Sequence, residues 1–240
     1  MSDKKLALLI DSDNISSKFI DVIINEASKE GVVTYKRIYG DWTRSNNGSW
    51  KDVLLNYSIN PVQQYSYTIG KNSTDSAMII DAMDILYTGN VDGFCIISSD
   101  SDFTKLAARL KESGKMVIGM GMGHTPKPFV SACSKFKYLD KLLPEENKTK
   151  NKDDKNNKTV EESTLTKTSA IKKAIKKIIE ENSDDDGWVL ASTIGTLMQN
   201  QYPDFECKNY GFEKLKDLLK NLGFDTKVSK DKTTYWVKNK

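Results

Sequence analysis

Two short runs of strand length contain no polar residue, 6–10 (LALLI) and 94–97 (FCII). A strand with one wet face alternates apolar and polar side chains, whereas an unbroken apolar run fits a strand buried on both faces, as in a parallel sheet covered by helices. The flanking segments agree. Ile15, Phe19, Val22, Ile23 and Ala27 follow the first run at helical spacing. After the second come Phe103, Leu106, Ala107 and Leu110, a Gly114 stop and a further strand over 116–120. Strands are also predicted over 33–39 and 62–68, a short helix over 50–57 and a longer one over 76–87. Repeated β-α-β connections of this kind predict an α/β domain, a parallel sheet with helices on both faces.

That rhythm stops at Pro144. The stretch EENKTKNKDDKNNKTVEES offers almost nothing apolar and mixes charges of both signs with Asn, Thr and Ser. Such a composition buries too little surface to offset the entropy of ordering, which predicts a flexible linker over 145–164 between domains at 1–144 and 165–240. In the second domain Ile171, Ala174, Ile175, Ile178 and Ile179 mark one amphipathic helix, and helices are also predicted over 190–198 and 210–222. Strands over 224–228 and 233–237, joined by SKDK, complete a small winged-helix plan.

With 38% hydrophobic and 29% charged residues in 240, the composition excludes a wholly disordered chain. Cys95, Cys133 and Cys207 lie far apart without a C-x-x-C spacing, which argues against a disulfide framework or a cysteine zinc site. The apolar run near the N-terminus is too short for a secretory signal or a bilayer span, so the cytoplasm is the expected location, with no membrane partner.

In open α/β sheets, sites form beyond the carboxyl ends of the strands, and here those ends carry acids. The first strand runs into IDSDN with Asp11, and FCII runs into SSDSDF with Asp100 and Asp102. Asp75 stands at the predicted helix start in GKNSTDSAMIIDAMD. Each has a plain structural alternative, a loop position for Asp11, a helix cap for Asp102 and a dipole-complementing place for Asp75. Gathered together, such carboxylates repel one another unless a cation sits among them, and oxygen-only donors favour Mg²⁺ or Mn²⁺ over Zn²⁺. The chemistry that uses such a centre is phosphodiester hydrolysis. Asn14 and Ser98 are candidates for orienting the carboxylates. Asp81, six residues past Asp75, is rotated by roughly 120° around the helix and cannot share the site squarely with it; Asp13 and Asp84 read as solvated or supporting. His124 is the sole histidine, which rules out a two-histidine metal site, and GMGMGH lacks the spacing of either common nucleotide loop.

Residues 5 to about 140, through IDSDN, KNSTDSAMIIDAMD and SSDSDFTKLAARLKESGKMVIGMG, resemble an NYN domain of the LabA-like group within the PIN-like nuclease superfamily. The resemblance implies a PIN-like fold and a Mg²⁺- or Mn²⁺-dependent ribonuclease, with Asp11, Asp75, Asp100 and Asp102 as the catalytic, metal-binding acids. It matches Asn14 to the family's Asn after the first Asp, and Asp81 to a recurrent helix acid. Residues 187–227 (GWVLASTIGTLMQNQYPDFECKNYGFEKLKDLLKNLGFDTK) with TTYWVK at 233–238 resemble an OST-HTH, or LOTUS, domain. That resemblance implies RNA binding or the docking of a protein partner such as a helicase.

For RNA contact the chain offers Lys208, Lys214 and Lys220 near the third helix, Lys227, Lys230 and Lys232 on the wing, and Tyr210 and Tyr235 for stacking. Lys71, ahead of Asp75, is a further candidate for a substrate phosphate. Trp188, Phe205, Phe212 and Trp236 are expected in the core. The net charge of +3 also divides unevenly: 1–144 hold 17 basic and 16 acidic residues, 145–164 hold 5 and 6, and 165–240 hold 14 and 11. The expected protein is a cytoplasmic ribonuclease tethered to an RNA-binding domain; the alternative is a catalytically silent adaptor that recruits RNA or a protein. Oligomeric state is left open, a homo-oligomer included.

Overall fold

A computed structural model describes residues 4–43, 48–65, 73–143, 166–229 and 234–240. The predicted linker over 145–164 lies outside them, as do Lys71, Lys230, Lys232 and the end of the strand predicted over 62–68. The chain divides into two compact units, Met1–Thr164 and Leu165–Lys240.

The first unit runs β1 (Lys5–Asp11), α1 (Ile20–Ser28), β2 (Val32–Gly40), α2 (Gly48–Leu54), β3 (Asn60–Gln63), α3 (Ser73–Thr88), β4 (Gly93–Ile97), α4 (Thr104–Glu112), β5 (Met116–Gly121), α5 (Lys127–Ala132), β6 (Lys135–Tyr138) and α6 (Leu139–Leu142). The sheet order is β3-β2-β1-β4-β5-β6 and every pairing is parallel. The two apolar runs become the adjacent central strands β1 and β4, buried along almost their whole length. Leu6, Leu8 and Ile10 pack with Phe19, Ile23 and Trp50 beneath α1 and α2. Ala7 and Leu9 are equally buried on the opposite face, where α3 covers β1 and β2. The α/β fold with both faces covered is therefore as expected, while α5, β6 and α6 extend it beyond the strand predicted last.

From β1 the chain builds outward to β2 and β3, then returns to lay β4, β5 and β6 on the other side. The order reverses between β1 and β4, so a crevice opens beyond their carboxyl ends, the place where open α/β sheets bind ligands. Asp11 is the last residue of β1 and lies beside Tyr39 of β2, and Ile10 lies beside Ile97 at the end of β4.

The second unit contains α7 (Thr168–Asn182), β7 (Val189–Leu190), α8 (Ala191–Gln201), α9 (Leu215–Asn221), β8 (Asp225–Val228) and β9 (Tyr235–Lys238), with an antiparallel sheet ordered β7-β9-β8. Its core joins the isoleucines of α7 to Ile194, Met198, Leu218, Leu219, Phe224 and Val237. The helix predicted over 210–222 is shorter. Gly211 has φ of 84°, a left-handed conformation that ends the 3-10 turn Cys207–Tyr210 and delays α9 to Leu215. Two expected core residues are also displaced: Trp188 and Trp236 are only half-buried, with Lys227 Nζ 4.2 Å and 5.5 Å from their ring centroids. Their indoles form part of the wing's surface because the core is already filled by the aliphatic side chains of three helices. Phe205 is buried as expected, and Phe212 packs against the core from its edge.

Candidate metal centre

The acids at the β1 and β4 ends are held by a chain of hydrogen bonds rather than by loose loops. Asp11 is only 2% exposed. Its Oδ1 accepts from the Asp13 amide at 3.1 Å and its Oδ2 from Ser98 Oγ at 2.8 Å. The same Ser98 Oγ accepts from the Asp100 amide at 3.1 Å, so one hydroxyl locks β1 to the loop after β4. Asp100 caps the 3-10 turn Ser101–Phe103, its Oδ1 accepting from the Asp102 amide at 3.0 Å. The cap expected of Asp102 thus falls to Asp100. Asn14 Oδ1 accepts from the Ser99 amide at 2.8 Å and ties the two loops together a second time.

The remaining acid arrives from α3. Thr74 Oγ1 donates to Asp13 Oδ2 at 2.9 Å, fixing the first turn of that helix against the β1 loop and bringing Asp75 over the crevice. The result is a cluster in which carboxylate oxygens of Asp75, Asp100 and Asp102 all lie within 4.8 Å of one another. Close packing holds the floor of the β4 loop: a Cβ on Gly121 would stand 2.6 Å from the Ser98 carbonyl and 2.6 Å from Thr125 Oγ1.

Asp11 is not one of the three converging acids. It is buried at the end of β1, near enough that Asp75 raises its pKa. Burial, then the neighbouring carboxylates Asp75 and Asp13, push Asp11 up to about 7 against the Ser98 hydrogen bond. Burial also raises Asp75 to about 6, reinforced by Asp100, Asp102 and Asp13. Every contribution at Asp75 disfavours its charged form, which is the electrostatic condition that a bound cation relieves. The donors are all oxygens, with no histidine or thiolate among them, and this set suits Mg²⁺ or Mn²⁺.

Other candidates separate from the cluster. Asp81 accepts from Arg37 Nη1 and from Tyr39 Oη, so it braces α3 against β2 instead of facing the acids. Asp13, expected as solvated or supporting, takes the supporting role through Thr74, and their link joins residues 61 positions apart, a separation that leaves no local signal. In the second unit Lys208, Lys214, Lys220 and Lys227 are exposed, and Tyr235 lies under Lys216 at 5.4 Å. Tyr210 instead serves the fold, donating from Oη to the Thr166 carbonyl at 3.0 Å beside Phe205. An open groove of about 610 Å³ adds cations that the sequence reading missed, Lys173, Lys176 and Lys177 of α7, lined also by Tyr202. Among the described residues no helix is long and apolar enough to cross a membrane.

Comparison with known proteins sets this geometry in a family. An uncharacterized protein of Methanocaldococcus jannaschii is 28% identical over 123 residues, half of this chain and 48% of that protein, so the match spans about half of the relative's length. A crystal structure of a protein of unknown function from Vibrio parahaemolyticus superposes with a TM-score of 0.49 at 18% identity, covering 57% of this chain and 94% of the other. The OST-HTH/LOTUS domain model matches residues 166–235, the whole second unit but for its end. The NYN domain model matches residues 5–140, the full extent of the acid-bearing sheet, and the chain belongs to the NYN domain family, with an OST-HTH/LOTUS domain following.

Proposed function

We propose that the first unit is a Mg²⁺- or Mn²⁺-dependent ribonuclease that hydrolyses phosphodiester bonds, and that the second holds RNA for it, with residues 145–164 as the tether between them. The convergence of Asp75, Asp100 and Asp102 within 4.8 Å, at the point where the strand order reverses, carries this reading. A divalent cation held by these carboxylates supplies positive charge to phosphoryl oxygens and acidifies water. The protein's own part is to hold the acids in place. Ser98 and the Asp13 amide fix Asp11, the Asp100 cap fixes its own carboxylate, and Thr74 fixes the helix that carries Asp75. Nucleotide hydrolysis without RNA has less support, since no phosphate loop accompanies the acids.

Labelled single-stranded RNA incubated with the full chain and Mn²⁺ tests the assignment. Cleavage is expected with Mn²⁺ and none with EDTA, and Asp100→Asn is expected to lose roughly a hundredfold or more in rate. Equal cleavage by wild type and variant removes the catalytic assignment. RNA binding without any cleavage points instead to an adaptor that recruits RNA or a protein partner.

A further inference from the structure

The loop after β1 and the start of α2 line a cavity of about 290 Å³, with Ser12, Asp13, Asn14, Ser16, Ser49 and Trp50 among its walls. Two of its lining residues are tied to the metal centre: Asp13 bonds Thr74 ahead of Asp75, and Asn14 bonds Ser99 ahead of Asp100. Its chemistry differs from that of the cluster. Three serine hydroxyls, one amide and one carboxylate line it, and none of its lining residues among the described residues is basic. The Asp13 carboxylate disfavours a phosphate there, whereas the serine hydroxyls and the Asn14 amide match a neutral group that carries hydroxyls. Trp50 is 1% exposed, and its Nε1 donates to the Ile15 carbonyl at 3.1 Å, so its ring forms a wall and offers no open face for stacking a base.

One atom in this wall has unmet bonding capacity. Ser12 is 8% exposed, and its Oγ is buried without a hydrogen-bond partner. An unpaired buried hydroxyl is costly, and a ligand hydroxyl can return that cost once the side chain turns between its staggered positions.

We infer that this cavity is a ribose subsite, receiving the 2′-hydroxyl of a nucleotide whose phosphate lies at the acid cluster, and that Ser12 and Ser49 select RNA over DNA. The inference rests on the proposed nuclease reading. A sugar is one bond from its own phosphate, so a pocket whose lining is hydrogen-bonded to the loop and helix that carry the acids is placed to meet it. The 2′-hydroxyl, both donor and acceptor, is the group by which a protein distinguishes the two nucleic acids.

Neutral nucleosides probe the cavity without involving the acids. Adenosine, 2′-deoxyadenosine and 2′-O-methyladenosine are titrated in EDTA into the ¹⁵N-labelled full chain of 27.0 kDa, following backbone amides of residues 12–16 and 49–50 by NMR. Adenosine is expected to shift these amides with a Kd roughly fivefold below that of either analogue, the discrimination of about one hydrogen bond. Ser12→Ala and Ser49→Ala are each expected to narrow that ratio, and together to remove it. Ser49 is exposed, so its variant keeps the fold even if Ser12→Ala does not. Amides that stay still, equal response to the deoxy analogue, or discrimination that survives both substitutions overturns the subsite. RNA cleavage with Mn²⁺ is scored separately: its absence alongside intact discrimination removes the nuclease reading and leaves the ribose subsite standing.

Discussion

Asp11 concentrates the conflict between folding and function in one side chain. Ending a strand whose apolar residues are all buried, it sits where a carboxylate is least welcome, and its pKa stands at about 7 against an ordinary value near 3.8. In the unfolded chain the group ionises freely above pH 4, so the unfolded state gains from deprotonation before the folded state does. The contribution of Asp11 to stability is thus complete below about pH 4 and disappears as the pH rises toward 7. Metal-free protein is expected to lose on the order of 2 kcal/mol from this group between pH 5 and pH 8, and Asp11→Asn to flatten that slope. Thermal unfolding in EDTA across this range, for both proteins, checks it; a wild-type slope no steeper than the variant's refutes it. This acid was legible in the sequence because an aspartate directly after an unbroken apolar run has few places to go. Asp13 was legible only as solvated or supporting, since the partner of an exposed loop acid, Thr74, is folded onto it from another element.

The helix α3 illustrates how an element is held for the sake of one residue at its end. It carries Asp75 in its first turn, and two attachments fix it to the sheet: Thr74 to Asp13, and Asp81 to both Arg37 and Tyr39 of β2. Helical geometry alone indicated that Asp81 turns away from Asp75; where it turns to required the β2 register, which periodicity does not encode. Removing the Asp81 carboxylate leaves the phenol of Tyr39, a buried residue, without its acceptor and frees the middle of α3. Asp81→Ala is expected to cost about 1–3 kcal/mol in stability, and to slow RNA cleavage by raising the Mn²⁺ concentration needed for half-maximal rate. Asp81→Asn, which keeps an acceptor for Tyr39, is expected to recover most of the metal response. A variant destabilised but unchanged in its Mn²⁺ dependence would show that the brace serves the fold alone. Strands β1, β4 and β5 were readable because burial on both faces leaves a composition that survives without context. The two-residue β7 and the shortened α9 were not, because one depends on pairing with β9 and the other on the backbone of Gly211.

At the scale of the whole chain, two separate cores imply two separate melts. The first is built on the parallel sheet, with Leu6, Leu8, Ile10 and Trp50, and the second on the isoleucines of α7 with Leu218 and Val237. The proposed cation binds only the first, so mass action raises the stability of that unit alone, by about 2.7 kcal/mol at a hundredfold excess over Kd. Calorimetry of the full chain is expected to resolve two transitions, with Mn²⁺ raising one by on the order of 10 °C and leaving the other in place. Ile175, fully buried in the second core, provides the reciprocal perturbation: Ile175→Ala deletes core volume worth about 2–5 kcal/mol, a large part of what a unit this small possesses. It should lower or abolish the transition that Mn²⁺ does not move, without altering the one that it does. A single transition shifted by both perturbations would mean that the two cores fold as one, and the division of labour between acid site and basic domain would lose its structural basis. The uneven charge bears on the same experiment. Residues 165–240 carry a surplus of three basic side chains, and in the folded unit Lys173, Lys176 and Lys177 border one groove. RNA should therefore raise the second transition, in a manner weakened by salt, just as Mn²⁺ raises the first.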